Sequence, residues 1–445
     1  MRHERVSTQP THDTYAASAP RTRVPSVKVC FVNDNSDTRN WGAQATSMAL
    51  CELVHSAGGN VERTLSASRL DEKQGKDYPA IAYLAGYFDR RLPAWSMPRR
   101  LNHAIFNRLA RQLPDVVPDS WEDFDRQALR VLQHKTLGDI REALENSDLV
   151  VINGEGCIYG NIRHSRMLFF IAYLAKRYLG RETVMVNHSA DLRHPTLNRI
   201  ARHVYPLLDE VVFRETDSAL ACSGFCSSTI GADAAYLYTP APVENWSLRM
   251  DGFDPGRPYV CVGGSSSYLR RGDEQVKPVA GYVELCRHLQ AECDQVVLVA
   301  ASWQDERIFQ AVKNELGIPL IGVSSPFRQA IDVIGNARVY IGGRWHSAIF
   351  AHAGGTPVVA LGAYTPKMQA FLHDSGQPGT PFDPFELATQ APKIAAGVRD
   401  CLEQGDRLRA VLSDGARECA RRARLNVNCV EKMVVSRSTP GPEFS

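Results

Sequence analysis

The amino-acid sequence predicts an α/β protein made of two Rossmann-like domains facing across a cleft. Three observations lead there. Short apolar runs rich in β-branched residues alternate with helix-patterned stretches along most of the chain. That rhythm breaks once, at the Pro- and Trp-containing segment Thr239 to Pro258, and then resumes. The chain is also 445 residues long, more than one core usually supports. Strands alternating with helices make a parallel sheet covered on both faces, with functional loops at the carboxyl ends of the strands.

The first strand is VKVCFVND, Val27 to Asp34. Ala45, Met48, Ala49, Glu52 and Leu53 then fall at helical spacing, and Gly58 and Gly59 close that helix. Three further strands are expected at Asp148 to Gly154, Glu182 to Ser189 and Asp209 to Glu215, with a helix from His164 to Tyr178. After the break, strands are expected in Pro258 to Ser267, Gln295 to Ser302, Ile318 to Ser325, Ala337 to Gly343 and Thr356 to Gly362. Helices at Gln304 to Leu316, Arg328 to Asn336 and after Arg344 lie between them. The resulting division is a disordered tail over 1–26, a first domain over 27–240, a second over 241–430 and a disordered tail over 431–445. A helical basic insertion is expected around 78–139.

Composition narrows the function. The 51 basic and 49 acidic residues leave a net charge of +2, without the strong field of a nucleic-acid binder, so any anion site must be local. The 11 cysteines are scattered without a repeating spacing, which argues against a disulfide framework and for a reducing, cytoplasmic setting. Cys222 and Cys226 lack the second pair that a zinc site needs, so no metal is expected. The polar N-terminus reads as neither signal peptide nor anchor. The longest apolar run, nine residues from Met167 to Ala175, falls short of the roughly 20 that span a bilayer. Arg90 to Arg111 holds six Arg and no acid. It reads as a solvated helical insertion, with peripheral contact at the inner face of a membrane as the alternative.

The chemistry concentrates in ARVYIGGRWHSAIFAHAGGTPVVALGAYTPK, Ala337 to Lys367. A strand delivers Arg344 and His346 to its carboxyl end, and the helix that follows aims free N–H groups at the same place. Arg offers a planar fork for carboxylate or phosphate, and His titrates near neutrality. Alone, the pair would read as a helix cap and a core histidine. Two other loops add candidates. Asn153, Gly154 and Glu155 end the strand DLVVING, where Glu155 would bind a hydroxyl, act as a base or cap a helix. The loop GGSSS, with Ser265 and Ser266, offers hydroxyls to a phosphate but lacks the Lys of a P-loop.

These motifs, in this order, resemble the polysaccharide pyruvyl transferase family. The resemblance runs from Val27 to about Phe371 and is carried by Arg344, His346, Gly355, Pro357, Tyr364 and Lys367, by DLVVINGEG, VVFRETDS and GADAAYL, and by Asn40 and Gly42 of the early loop. It implies a GT-B-like enzyme that moves a pyruvyl group from phosphoenolpyruvate to two hydroxyls of a sugar. The product is a ketal in exopolysaccharide or cell-envelope biosynthesis. It implies His346 as general acid, Arg344 and Arg214 as anion clamps, and no cofactor beyond the donor substrate. Asn40, Gly42, Asn153, Gly154, Glu155, Trp345, Ser265, Ser266 and Lys367 would line the substrate sites.

Three departures stand out. Trp345 replaces the commoner Leu, the loop NWGAQ lacks the Asp that often follows its Gly, and NGEG replaces a double glycine. The partners expected are phosphoenolpyruvate and a sugar acceptor, lipid- or nucleotide-linked, and no nucleic acid. Two alternatives stay open: a nucleotide-sugar glycosyltransferase, because the layout is shared, and a non-catalytic carbohydrate- or anion-binding relative.

Overall fold

Two parallel sheets, each flanked by helices, carry the chain. The computed structural model describes residues 26–72, 96–98, 101–102, 104, 115–134, 136–243, 252–269 and 278–438. Among these, the first sheet has six strands, β1 (Val27–Asp34), β2 (Gly59–Ser66), β3 (Leu149–Tyr159), β4 (Glu182–Asp191), β5 (Glu210–Phe213) and β6 (Thr229–Ile230). Their order across the sheet is β2-β1-β3-β4-β5-β6, all parallel. The second sheet has β7 (Val260–Ser265), β8 (Val296–Val299), β9 (Leu320–Ile321), β10 (Tyr340–Gly343) and β11 (Val358–Ala360), in the order β11-β10-β7-β8-β9. It too is wholly parallel. The central strands are near-continuous Val, Ile and Leu because both of their faces are covered.

β2 is absent from the sequence reading, and the reason is its place. GNVERTLS is an edge strand paired only to β1, its middle is largely exposed, and it needs no apolar run. β3 runs past the expected end at Gly154 to Tyr159, with a register shift against β4 after Glu155.

Helices supply the layers. In the first half these are α1 (Trp41–Ser56), α2 (Ala67–Asp71), α3 (Phe124–His134), α4 (Gly138–Glu145), α5 (Arg163–Tyr173), α6 (Pro195–Val204) and α7 (Thr216–Cys222). The apolar run after Arg166 is α5, which is buried almost throughout against β3, α6 and Phe124 of α3. No helix among the described residues is long and apolar enough to cross a membrane. Of the expected insertion over 78–139, residues 96–98, 101–102, 104, 115–134 and 136–139 are described and include α3. Most of the Arg-rich stretch, like residues 1–25 of the tail expected over 1–26, lies outside the described residues.

The second half contributes α8 (Pro278–Glu292), α9 (Trp303–Leu316), α10 (Phe327–Asn336), α11 (Trp345–Ala353), α12 (Lys367–Asp374), α13 (Leu387–Ala423) and α14 (Asn428–Ser438). α13 is bent at Gly405, whose φ of 50° and ψ of −131° leave the helical region. Beyond the bend it crosses to the first half, where Arg422 donates to the Gly231 carbonyl and Asn426 to the Ala232 carbonyl. α14 then packs on β1 and β2. Residues 431–438 are therefore helical and attached to the first domain, a correction to the tail expected from 431. Val430, 1% exposed, is part of the apolar contact that holds them.

Three apolar clusters result. One lies on the outer side of each sheet, and the third is continuous between the sheets, joining Trp41, Ala45 and Ala49 of α1 to Ile331, Ala348 and Ile349 of α10 and α11. Trp41 is buried there and its indole N–H donates to the Ser325 carbonyl at 2.9 Å. We expect Val430→Ala to remove about 2 kcal/mol of stability and lower Tm by a few degrees in thermal unfolding, through the cavity left between α14 and the first sheet.

Candidate active site

The cleft opens above this shared core, where the carboxyl ends of both sheets face each other. Its inner lobe, about 220 Å³, is lined by Asn40 and Gly42 at the start of α1, by Glu155 and Cys157 of β3, and by Arg214, Ser266, Arg344, Trp345, His346 and Lys367. An outer lobe of about 410 Å³ continues from it between Ser189, Asp191, Arg193, Asn198, Asp217 and the start of α12. Gly156, Tyr159, Arg214, Tyr364 and Lys367 border both lobes. Tyr159 and Tyr364 meet edge to face at 5.2 Å across the two domains.

His346 enters from the first turn of α11, and α1 of the other domain lies against its ring. A Cβ on Gly42 would stand 2.1 Å from the ring's Cγ and Nδ1, so only glycine admits the imidazole here. Asn40 caps α1, its side-chain oxygen accepting from the Gly42 and Ala43 amides at 3.2 and 3.3 Å. The Asn-x-Gly motif thus shapes the helix end that receives the histidine.

The far edge of the ring meets oxygen. His346 Nε2 lies 3.2 Å from Thr46 Oγ1, 3.4 Å from Asp233 Oδ2 and 3.9 Å from Glu155 Oε1. The Thr46 hydroxyl donates its one proton to Asp233 Oδ1 at 3.1 Å, so toward His346 it accepts, which places a proton on Nε2.

Asp233 is the hub. It is fully buried and accepts from Arg214 Nη1 at 2.8 Å, from the Trp345 indole at 3.1 Å and from the Ala235 amide at 3.0 Å, besides Thr46. Burial pushes its carboxyl upward, but His346 and Arg214 outweigh that and hold it well below the usual carboxylate range. Sequence reasoning noted GADAAYL but gave Asp233 no role; the signal was an acid set among small apolar residues, a place where an unpaired charge would not be tolerated. Thr46, inside the pattern of α1, carried no signal.

Arg344 is oriented in the same manner. Its Nε and Nη2 donate to Asp305 Oδ2 and Oδ1 at 3.0 and 2.8 Å, and Nη2 also to Ser302 Oγ at 2.6 Å. Asp305 is 1% exposed, in the first turn of α9, and Gly264 makes room for it, since a Cβ there would be 2.1 Å from its Oδ1. Nη1 is the nitrogen of Arg344 without a partner among the described residues. Arg214 is 4% exposed, with Nε on Ser189 Oγ at 3.0 Å and Nη1 on Asp233, while Nη2 has no partner among the described residues. Its partner is Asp233 rather than the neighbouring Glu215 or Asp217.

Lys367 begins α12. No carboxylate pairs with it among the described residues; its ammonium lies 5.4 Å from the centre of the Tyr364 ring. Walled in by the cleft and faced by Arg214 and Arg344, it is lowered to about 7, burial being the larger cause.

The remaining candidates divide. Ser266 is 2% exposed on the inner lobe, and its hydroxyl has no hydrogen-bond partner among the described residues. Ser265 is turned away, closing on the Gly362 carbonyl at 2.6 Å. Asn153 and Gly154 lie beneath the lining: Asn153 is fully buried and accepts from Asn187 Nδ2 at 3.4 Å, and Gly154 backs onto His188. His188 is itself pushed down to about 3 by burial and Arg214, and is a neutral core histidine bonded to the Tyr205 hydroxyl. Trp345 is 5% exposed with its N–H on Asp233, so it packs the inner wall and offers little face to a ligand.

Two facing Rossmann-like domains of GT-B type, with an interdomain cleft centred on a histidine and an arginine, define the class. A model of the family described as polysaccharide pyruvyl transferase matches residues 40–363, and the chain belongs to that family. No curated protein sequence matches it significantly. Among solved structures it is similar to a putative UDP-N-acetylglucosamine 2-epimerase from Listeria monocytogenes, at 15% identity and TM-score 0.51, over 94% of this chain and 99% of that one. It is also similar to UDP-GlcNAc 2-epimerase from Neisseria meningitidis bound to UDP-GlcNAc, at 11% identity and TM-score 0.51, over 91% and 100%. A third likeness is to MnaA from S. aureus in a co-structure with UDP, at 12% identity and TM-score 0.50, over 94% and 100%. At such identities the likeness is one of fold.

Gly42→Ala is expected to keep its circular dichroism spectrum yet displace the His346 ring and lower the catalytic rate by about 10²-fold, as for a misplaced reacting group. Asp233→Asn leaves Arg214 buried without its charge partner, and we expect a loss of about 3–5 kcal/mol in urea unfolding at neutral pH. Because the folded carboxyl titrates below its unfolded value near 3.9, that contribution is complete above about pH 4 and declines as pH falls toward the depressed folded value. The stability gap between wild type and variant should shrink over the same range.

Proposed function

We propose that the enzyme transfers a pyruvyl group from phosphoenolpyruvate to two hydroxyls of one sugar, closing a cyclic ketal and releasing phosphate. The observation that carries this reading is the convergence of three cations, Arg214, Arg344 and Lys367, on a lobe whose wall holds a histidine ring with a proton on Nε2. The donor is a small, highly charged anion, and this lobe is small and cationic. The N-terminus of α11 adds amide donors, and the Ser266 hydroxyl adds another.

His346 gives a proton to the donor's methylene carbon, leaving positive charge on the carbon that bears the phosphate. A sugar hydroxyl adds there, its O–H bond breaking as the O–C bond forms. Phosphate then leaves with the electron pair of its C–O bond, and the second hydroxyl adds to the resulting oxocarbenium ion. Two hydroxyl protons are released in all: one replaces the proton His346 supplied, and the other departs on phosphate. Asp233 stabilises the charged imidazolium between turnovers, the cations offset the donor's charge, and no cofactor takes part in these steps.

The outer lobe suits the acceptor. Asp191, Arg193, Asn198 and Asp217 offer polar partners to sugar hydroxyls, and Tyr159 and Tyr364 offer ring edges at the junction. The lobe is open enough for an acceptor carried on a lipid or a nucleotide, a precursor of an exopolysaccharide or envelope polymer. The reaction belongs on the cytoplasmic side, where phosphoenolpyruvate is produced. The glycosyltransferase alternative rests on fold likeness alone, and the family membership favours pyruvyl transfer.

Purified protein should release phosphate from phosphoenolpyruvate only when a sugar acceptor is present. His346→Ala should abolish release, and Arg344→Ala should slow it about 10²- to 10³-fold. Consumption of a nucleotide sugar instead of phosphoenolpyruvate overturns the reading. Since Lys367 binds the donor as the ammonium ion and is lowered to about 7, KM for phosphoenolpyruvate should rise as pH climbs through neutrality. Lys367→Met should have a high KM with little pH dependence over that range.

A further inference from the structure

Three adjacent strands of the first sheet carry a residue in the left-handed region: Asn33 near the end of β1 at φ 68°, Glu155 within β3 at φ 45° and Asn187 within β4 at φ 58°. Asparagine tolerates that conformation, and both asparagines use their side chains to hold the sheet. Asn33 Nδ2 donates to the Asn153 carbonyl at 2.7 Å, and Asn187 Oδ1 accepts from the Ala234 amide at 2.7 Å. Glu155 is different. Its Cβ and longer side chain make the left-handed region costly, glycine would adopt it freely, and its carboxylate is no part of the sheet's bonding.

The conformation instead aims the carboxylate into the inner lobe, at the point where the register of β3 with β4 shifts. Oε2 is held by Asn35 Nδ2 at 3.2 Å, and Asn35 is fixed in turn by its amide bond to Ser47 Oγ at 2.9 Å. Oε1 faces His346 Nε2 at 3.9 Å. A counter-ion for the histidine does not account for it, because Asp233 is closer, deeper and already bonded to four other donors. What Glu155 adds is an oxygen on the cleft side of His346, beside the position the donor would take.

We propose that Glu155 is the catalytic base that receives the proton of the attacking sugar hydroxyl, and that its left-handed backbone persists for this role. The inference rests on the pyruvyl-transfer reading above. As the acceptor oxygen bonds to the pyruvyl carbon, its O–H electron pair becomes the new O–C bond and the proton passes to Oε1. From there it returns to His346 Nε2, which has just given a proton to the methylene carbon. When the second hydroxyl adds, its proton follows the same path to Glu155 and departs on phosphate, leaving both groups in their starting state.

The test uses the full chain, phosphoenolpyruvate, and a panel of methyl and p-nitrophenyl hexosides and UDP-hexoses, with phosphate release and thermal unfolding as readouts. Glu155→Gln should lower kcat about 10²- to 10⁴-fold with KM for phosphoenolpyruvate nearly unchanged. Glu155→Gly should lose activity as severely while its Tm rises by about 2–4 °C, because the backbone cost is relieved. Wild-type rates in Glu155→Gln, or a lower Tm in Glu155→Gly, overturn the assignment of Glu155 and leave pyruvyl transfer standing. A wild-type protein that releases no phosphate from phosphoenolpyruvate with any of these acceptors overturns the reading beneath it.

Discussion

The site depends on one buried carboxylate. Asp233 takes hydrogen bonds from Arg214, Thr46 and its own loop in the first domain, and from Trp345 in the second, and it lies against His346. A fully buried acid is ionised only if such partners replace water, and here they come from both sides of the cleft. The charge that makes His346 useful is thus the same charge that fixes how the two domains meet. Loss of any one partner would be felt by the others, because they share two oxygens.

Neutralisation follows a pattern. Arg214 and Arg344 each commit part of the guanidinium to a buried acid, Asp233 and Asp305, and each keeps a nitrogen in reserve. Their forks are fixed before any ligand arrives, which is how electrostatic preorganisation avoids reorganisation during reaction. Lys367 is the contrast. It has no acid partner among the described residues, and its charge is weakened first by burial and then by the two arginines it faces. An anion entering the lobe would relieve that repulsion, so the site's affinity for negative charge is concentrated in its least neutralised member.

Backbone geometry is used with equal economy. Three neighbouring strands each carry a left-handed residue, and the two asparagines among them tie β1, β3, β4 and the turn that follows Asp233 into one layer. Glu155 occupies the middle of that row and points outward. The glycines act differently: Gly42 and Gly264 admit His346 and Asp305 by lacking a side chain. A methyl group at either place would displace a residue of the site.

Much of this is legible in the sequence. The β/α alternation and the break after Thr239 dictate two parallel-sheet domains, because strands buried on both faces must be continuously apolar. Arg344, His346, Arg214 and Lys367 are legible because each stands at the end of a strand or the start of a helix within one ordered set of motifs, where a charged side chain faces the cleft rather than the core. The polar edge strand β2 is not, since an edge needs no apolar run, and neither is the return of α13 and α14 to the first domain, which is a matter of long-range packing. Nor does the order of residues distinguish Ser265, committed to Gly362, from Ser266, which lines the inner lobe beside it. Asp233 and Thr46 become partners of His346, across 113 and 300 residues of chain, only when the two domains close on their shared core. Spacing along a chain specifies local periodicity and the ends of elements; which buried charge meets which is decided by packing, because only packing removes the water that would otherwise satisfy each of them.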